Sequence, residues 1–163
     1  MHNLGSAYED GRGVVQSLPE AMRWYRKAAK LDFHHSVLTI GTLYFKGAGV
    51  KQDFKEAVVH YHRAAQLGNP RAKLYLGSML LKGQGLEKNA SEAVRYLRSA
   101  AELGLPGGMV YFGLCLGAGR GVERDRAQAV TWLRRGLKSK SLDPNMREMA
   151  TRKLQRWESD QSR

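Results

Sequence analysis

The sequence predicts an all-α fold, an α-solenoid of about four helix-turn-helix repeats closed by a C-terminal capping helix. Three observations predict it. One pattern occurs four times with a constant period of 36 residues, each copy contains two segments with apolar residues at helical spacing, and a Gly-x-Gly turn separates those segments. Self-similarity at this period is typical of stacked-repeat proteins, in which each repeat buries its apolar face against its neighbours.

Two sets of small residues keep the register of the four copies. They are the glycines Gly5, Gly41, Gly77 and Gly113 and the alanines Ala21, Ala57, Ala93 and Ala129. Since no insertion or deletion separates the copies, we predict one repeat domain over residues 1–158. Its parts are repeats at about 1–34, 35–70, 71–106 and 107–142 and a capping helix at about 144–158, followed by a disordered tail over 159–163.

The second helix of each repeat, helix B, has a defined start. A side chain that can accept from backbone N–H groups is followed three positions later by Glu or Gln. The four pairs are Ser17 with Glu20, Asp53 with Glu56, Asn89 with Glu92 and Asp125 with Gln128. This spacing is a capping box, which satisfies the free N–H groups of a first helical turn.

The paired glycines precede helix B in every copy, at positions 11/13, 47/49, 83/85 and 119/121. Near Lys51 such a pair could suggest a phosphate-binding loop, but that site also needs a preceding strand and a third glycine. Glycine tolerates the positive φ angles of tight turns. We therefore predict that these glycines reverse the chain between helix A and helix B.

The two ends of the chain differ. Asp143 and Pro144 are suited to start a helix, and the apolar residues that follow recur at helical spacing as far as Trp157. This pattern predicts a capping helix over the last apolar edge. Met1 occupies the repeat position of Val37, in the middle of a helix A, so we expect the natural chain to continue upstream with further repeats or a signal peptide.

The consensus L-G-x-x-Y-x-x-G-x-G-V-x-x-D-x-x-E-A-x-x-x-Y-x-x-A-A-x-x-G resembles the Sel1-like repeat, a relative of the tetratricopeptide repeat. The resemblance extends from Leu4 to about Lys140. Leu80 and Leu116 replace the tyrosine, and Gly136 and Leu137 replace the Ala-Ala pair. Three further glycines are expected to weaken helix A of the fourth repeat and make it the loosest, namely Gly107, Gly108 and Gly117.

The resemblance implies antiparallel helix pairs and a protein-binding role. Sel1-like proteins include adaptors in protein degradation and membrane signalling, bacterial host-interaction factors and immunity proteins against secreted toxins. We expect an adaptor or scaffold that binds a protein or peptide through its concave face. An immunity protein or inhibitor that neutralises a secreted toxin or effector is the alternative, and the sequence does not separate the two.

Composition limits the class of protein. The chain has 163 residues, a formal net charge of +12 and one cysteine, Cys115, so no intrachain disulfide can form. This excludes the Sel1-like subgroup that has a disulfide in each repeat. The sequence contains no apolar run of about 18 residues, which predicts a soluble protein without a transmembrane segment. The bacterial cytoplasm and the periplasm both remain open as locations.

No set of residues predicts catalysis. His60 and His62 are two positions apart on helix B and therefore point to different sides, and His34 and His35 have no Cys or acidic residue at ligand spacing. No Ser/His/Asp set, carboxylate pair or P-loop is distinguishable from the background of the sequence. We expect a non-enzyme without a metal site or cofactor.

An apolar set on helix A predicts the binding surface. It lies beside the packing positions, on the face that lines the concave groove of tetratricopeptide-like arrays, and an exposed apolar patch marks an interface. The predicted partner-binding residues are Leu38, Thr42, Phe45, Lys46, Arg71, Leu74, Ser78, Leu81, Lys82, Val110 and Leu114. Phe45 and Leu81 are expected to be central. Alternatively, Leu38, Leu74 and Val110 pack against the adjacent helix A.

A basic set on helix B predicts a possible stripe, formed at one repeat position by Arg26, His62, Arg98 and Arg134. A solvated helical face is the ordinary explanation. An acidic protein surface, anionic lipid headgroups and nucleic acid are alternatives. RNA binding of the pentatricopeptide type is a minor one, because no base-reading pair recurs from repeat to repeat.

Overall fold

The computed structural model describes residues 1–159, which contain nine α-helices and no strand. The predicted all-α class is therefore confirmed for this part of the chain. The helices are α1 His2–Asp10, α2 Leu18–Ala29, α3 His34–Lys46, α4 Phe54–Gln66, α5 Pro70–Lys82, α6 Ala90–Glu102, α7 Pro106–Ala118, α8 Arg126–Leu137 and α9 Pro144–Ser159. The odd-numbered helices α1 to α7 are the A helices, and α2, α4, α6 and α8 are the B helices. None of the helices in this range has the length and apolar character needed to span a bilayer.

The B helices begin where the capping boxes predicted. The side-chain oxygen of each N-cap residue accepts from the backbone N–H three positions later, at 3.4 Å from Glu20 to Ser17 and 3.1 Å from Glu56 to Asp53. The other two boxes have distances of 3.0 and 2.8 Å. All four N-cap residues have extended backbone angles, as this position requires.

The paired glycines act as turn residues, as predicted. All eight have φ between 67° and 75°. The first glycine of a pair ends the preceding A helix in the left-handed conformation, as at Gly11, Gly47 and Gly119. Side chains other than glycine rarely adopt these angles, so the turn between the two helices depends on the Gly-x-Gly pair.

The chain forms two compact units. The N-terminal unit contains Met1–Ala72 with Gln84–Glu87, and the C-terminal unit contains Lys73–Gly83 with the described chain from Lys88 onward. Each unit has a core of apolar side chains. Ala21, Tyr25 and Ile40 are buried in the N-terminal unit, and Leu97 and Leu133 are buried in the C-terminal unit.

The same type of contact between helix A and helix B recurs from repeat to repeat. A glycine in the middle of helix A lies beneath a large side chain of helix B. A Cβ atom added at Gly5 would lie 2.7 Å from the ring of Tyr25, and one at Gly41 would lie 2.8 Å from the ring of Tyr61. In the C-terminal unit, Leu97 covers Gly77 in the same way. The glycine that recurs every 36 residues is therefore needed for close approach of the two helices.

The glycines of the fourth repeat leave helix A at the same length as in the two preceding repeats. Helix α7 has 13 residues, the same length as α3 and α5. Its extra glycines are buried at close contacts, where a larger side chain would not fit. A Cβ at Gly108 would lie 2.8 Å from the Ala100 side chain, and one at Gly117 would overlap the indole of Trp157.

The capping helix is present as α9. The Asp143 carboxylate accepts from the backbone N–H groups of Asn145 and Met146 at 3.0 and 3.1 Å. The helix buries Ala150 and Trp157 within the C-terminal unit. Ser159, assigned to the predicted tail, is the last residue of α9, and the rest of that tail, residues 160–163, lies outside the described residues.

The contact between Gly117 and Trp157 can be tested by substitution. We expect Gly117→Ala to lower the free energy of unfolding by about 1–3 kcal/mol because the added methyl group forces the buried indole to move. This loss exceeds the gain of up to about 1 kcal/mol in helix propensity. Urea denaturation followed by circular dichroism measures it.

Gly107→Ala is the matched control on the same helix. Its added Cβ would lie 3.0 Å from Leu74 Cδ2 and 3.4 Å from Met146 Sδ, which are the ends of flexible side chains. We expect this variant to stay within about 1 kcal/mol of the parent. Equal losses for the two variants would show that the indole contact is unimportant.

The histidines predict an acid-sensitive N-terminal unit. Burial is the main cause that lowers the pKa of His2, His35 and His60 from 6.5 in the folded state. The unfolded chain therefore binds more protons, so stability present above about pH 6.5 is lost as the pH falls through the folded pKa values. All five histidines of the chain belong to this unit, namely His2, His34, His35, His60 and His62.

Hydrogen exchange measures this pH dependence in each unit separately. After correction for intrinsic exchange rates, we expect protection in α3 and α4 to fall between neutral pH and about pH 5, while protection in α6 and α8 changes less. His60→Gln should reduce the difference between the units. A uniform loss of protection in both units would contradict the assignment to histidine.

Candidate functional site

An apolar cleft lies within the C-terminal unit, between α7 and α9 and beside the end of α5. Its volume is about 270 Å³. The residues that line it are Leu81, Tyr111, Leu114, Cys115, Ala118, Arg120, Met149, Lys153 and Trp157. We call it the α7/α9 cleft.

Helical spacing explains which side chains reach this cleft. Tyr111, Leu114 and Ala118 lie three and four residues apart along α7, so they share one face. On α9 the corresponding face carries Lys153 and, one turn further, Trp157. The indole is only 7% exposed because it packs over Gly117. It therefore forms the floor of the cleft and not its edge.

The edge of the cleft is cationic. Arg120 donates from its guanidinium to the backbone carbonyl of Leu81 at 2.6 Å, which satisfies one of the carbonyl groups left open at the end of α5. This bond holds the Arg120 side chain beside the opening. Lys153 is exposed on α9. The arrangement suits an apolar group that is accompanied by a negative charge.

Cys115 contributes packing to this cleft. Its side chain is 3% exposed, and burial raises the pKa of the thiol. A cysteine is a strong nucleophile only as the thiolate, which this environment disfavours. The expected role of Cys115 as a small packing residue agrees with its burial.

The predicted helix A surface divides into buried and accessible parts. Leu38, Leu74 and Leu81 are each 8% exposed, and Val110 is fully buried. The burial of Leu38, Leu74 and Val110 agrees with the alternative that these three residues pack against the adjacent helix A, and Leu81, which was expected on the exposed surface, is buried as well. Leu74 is buried because it packs against the next helix A. Its Cδ2 atom would lie 3.0 Å from a Cβ atom added at Gly107.

The remaining members of that surface are more accessible. Phe45 is half-buried, with its ring 5.3 Å from the ring of Phe54, and Thr42 donates to the Leu38 carbonyl at 3.1 Å. Ser78 and Leu114 are also half-buried. The flanking cations Lys46, Arg71 and Lys82 are exposed. Of the whole predicted set, only Leu81 and Leu114 line the α7/α9 cleft.

The arginines of the predicted basic stripe are engaged within their own units. Arg26 donates to the Tyr44 hydroxyl at 3.2 Å, Arg98 lies 5.2 Å from the centre of the Phe112 ring, and Arg134 pairs with Glu158 at 2.7 Å. His62 is half-buried. The ion pair between Arg134 and Glu158 is exposed, and exposed ion pairs contribute little to stability. Their geometry fits a solvated helical face.

The histidines do not converge on a metal site. Among residues 1–159, no group of three or more His, Cys, Asp and Glu side chains could hold a metal ion. The His34 ring is 2.9 Å from the Asn69 side-chain nitrogen, and the His60 ring stacks on Tyr44 with centroids 5.7 Å apart.

Sequence reasoning missed most of the α7/α9 cleft. The helical spacing of Met149 and Trp157 predicted packing of α9, but α9 has no counterpart in the 36-residue repeat. Its partner on α7 could therefore not be read from the other copies. Gly117 was the available signal, because a glycine inside a helix often marks a close approach.

Comparisons with known proteins agree with the repeat pattern. The family model described as Sel1 repeat matches residues 1–33, 40–69, 70–105 and 108–140. A crystal structure of a Sel1 repeat protein from Oxalobacter formigenes is 32% identical, with a TM-score of 0.81, over 86% of this chain and 58% of that one. A protective antigen of uropathogenic Escherichia coli strains, which has an SLR fold, is 34% identical with a TM-score of 0.83.

The chain spans only part of these two proteins. It covers 58% of the length of the first protein and 30% of the length of the second. The alignment with the second protein includes 86% of this chain. Helicobacter pylori cysteine rich protein B shows the same fold at 23% identity and a TM-score of 0.60, over 78% of this chain and 94% of that one. Among curated proteins the sequence finds no match. With four matched segments that include most of its residues, the chain belongs to the Sel1 repeat family, and the predicted class of α-solenoid is confirmed.

Proposed function

We propose that this chain is a non-catalytic adaptor or scaffold that binds a partner protein through the α7/α9 cleft. Sel1 repeat proteins bind other proteins, and the family consists in general of interaction scaffolds without catalytic activity. The identity of the partner does not follow from the family. The cleft supports a statement about its chemistry.

The observation that carries this proposal is the combination of an apolar lining with a cationic edge. A cleft of about 270 Å³ is large enough for a bulky aliphatic or aromatic side chain. Tyr111 and Leu114 are half-buried on one wall, so each retains apolar surface that a partner can cover. Arg120 and Lys153 at the edge favour an acidic residue next to the inserted side chain.

The walls of the cleft are held in place before a partner arrives. Trp157 is fixed by its contact with Gly117, and Arg120 by its bond to the Leu81 carbonyl. A site that is already ordered loses less conformational entropy on binding. Aromatic side chains at the centre of an interface are frequent sites of large energetic effects. Tyr111 is therefore the residue we expect to matter most.

We expect Tyr111→Ala to weaken partner binding at least about tenfold, because truncation of a central aromatic anchor typically costs about 2 kcal/mol. A photo-crosslinking amino acid placed at Ala118, an exposed residue of the same cleft, identifies the partner in cells of the source organism. Isothermal titration calorimetry with that partner then measures the affinity of the parent and of the variant, and thermal melting checks that both are folded.

Tyr75→Ala is the matched control, since Tyr75 occupies the equivalent position one repeat earlier and does not line the cleft. We expect its affinity to stay within about twofold of the parent, a change below about 0.5 kcal/mol. Unchanged binding by Tyr111→Ala, or an equal loss in Tyr75→Ala, would place recognition elsewhere.

Leu81 requires a different expectation, although it lines the same cleft. Because its side chain is 8% exposed, Leu81→Ala is a core truncation and should lower the free energy of unfolding by about 2–5 kcal/mol. Urea denaturation measures this loss. A variant with unchanged stability would show that Leu81 contributes to the surface and not to the core.

A further inference from the structure

Helix B presents the same kind of side-chain pair to solvent in the first and fourth repeats. In the first repeat, the Lys27 ammonium lies 4.2 Å from the centre of the Trp24 ring. In the fourth, the Arg135 guanidinium lies 5.3 Å from the centre of the Trp132 ring. In both repeats a long basic side chain covers a half-buried indole and fills the surface above it.

The third repeat has smaller residues at these two positions, Tyr96 and Ser99. Serine is too short to cover the ring, and the cation comes instead from helix A. The Lys73 ammonium donates to the Ser99 hydroxyl at 2.8 Å. The positive charge is thus retained by a different residue, while the bulk of the tryptophan and of the basic side chain on helix B is lost.

Lys73 occupies an unusual place for a cation. Two of the equivalent residues, Val37 and Met109, are 0% and 6% exposed, and the third, Met1, precedes α1, so inside a helix A this position contributes to the core. Lys73 is half-buried. Partial removal of an ammonium group from water costs free energy unless an anion or hydrogen-bond acceptors replace the water. Within residues 1–159, no carboxylate lies within 4.0 Å of the Lys73 nitrogen. The ammonium has three N–H donors, and one of them is used by the hydrogen bond to the Ser99 hydroxyl.

The result is a second cleft within the C-terminal unit, with a volume of about 330 Å³. It is lined by Lys73, Glu92, Arg95, Tyr96 and Ser99, and we call it the Lys73 pocket. Its lining contains two cations, one carboxylate and two hydroxyl groups. None of these five residues lines the α7/α9 cleft.

We propose that the Lys73 pocket binds a single carboxylate group presented by an acidic peptide segment of a partner protein. The charges of Lys73 and Arg95 exceed that of Glu92 by one, which matches one monoanion. A monoanion would neutralise the pocket, whereas a doubly charged phosphate would leave it with a net negative charge. A carboxylate can accept from the ammonium and from the guanidinium together, and such charge-assisted bonds strengthen in a partly buried site.

The repeats supply variants that should leave the fold intact. Lys73→Met introduces the residue that the fourth repeat has at this position, and Ser99→Arg introduces the equivalent of Arg135. The probe is a short glutamate-rich peptide, acetylated and amidated at its ends, with a glutamine-rich peptide as the neutral comparison. Amide chemical shifts of residues 73 and 92–99, followed by NMR during titration, report binding at the pocket.

We expect the glutamate-rich peptide to shift these resonances in the parent protein, and Lys73→Met to weaken its binding at least about tenfold, the effect of losing one charge-assisted bond. Lys30→Met makes the same change of charge at an exposed position of the N-terminal unit and should change the affinity by less than about twofold. Equal losses of affinity in both variants would show that the peptide is attracted only by the overall net charge of +12, and would overturn the proposal.

Ser99→Arg separates a specific pocket from general attraction. It raises the net charge, so non-specific binding of an acidic peptide should become stronger. If the pocket is the site, the added side chain fills it and binding weakens. A stronger interaction would contradict the proposal, as would inorganic phosphate competing more effectively than acetate. Tyr111→Ala should not change binding of this peptide, so the outcome is independent of the function proposed for the α7/α9 cleft.

Discussion

The contact between a glycine in the middle of helix A and a large side chain of helix B determines how the rest of each repeat is arranged. Tyr61 over Gly41 and Leu97 over Gly77 bring the two backbones together at a distance that any larger residue on helix A would prevent. At that distance the connecting chain must turn sharply, which the positive φ angles of the paired glycines allow. Helix B begins five residues after the second glycine, and its N-cap side chain satisfies the first free N–H groups. The remaining faces are available for packing between neighbours and for clefts.

Most of this architecture could be predicted because it is repeated. Four copies in constant register reinforce one another, so the helix pairs, the turns and the capping boxes each had four independent pieces of support. The local chemistry also agrees with the global fold, since a serine, aspartate or asparagine at the N-cap is favourable whatever surrounds it. The features that were predicted less well occur once. Helix α9 was expected from its N-cap and its apolar spacing. The contact of its Trp157 with Gly117 occurs only once, so the other repeats give no information about it.

The candidate site shows the same limit at the level of side chains. Helical spacing correctly placed Leu38, Leu74 and Val110 on a face beside the main packing positions of helix A. It could not show that another element covers that face, because burial depends on the distance and size of the neighbour. Gly107 is the informative case: its missing side chain lets Leu74 approach the next helix A closely. Gly107, which was expected to weaken helix A of the fourth repeat, therefore explains part of the burial of Leu74.

The Lys73 pocket also bears on how a repeat protein acquires new specificity. Compared with the first repeat, its lining differs at three positions, those of Lys73, Tyr96 and Ser99, and none of them belongs to the turns, the caps or the helix A glycines. A repeat can thus change the lining of such a pocket by point substitution while the residues of its turns, caps and helix contacts stay the same. Constant spacing further means that duplication or loss of a whole 36-residue segment preserves every junction. Such a scaffold can diversify one repeat at a time, and a variant lining can be copied to a new position along the array by recombination within the gene.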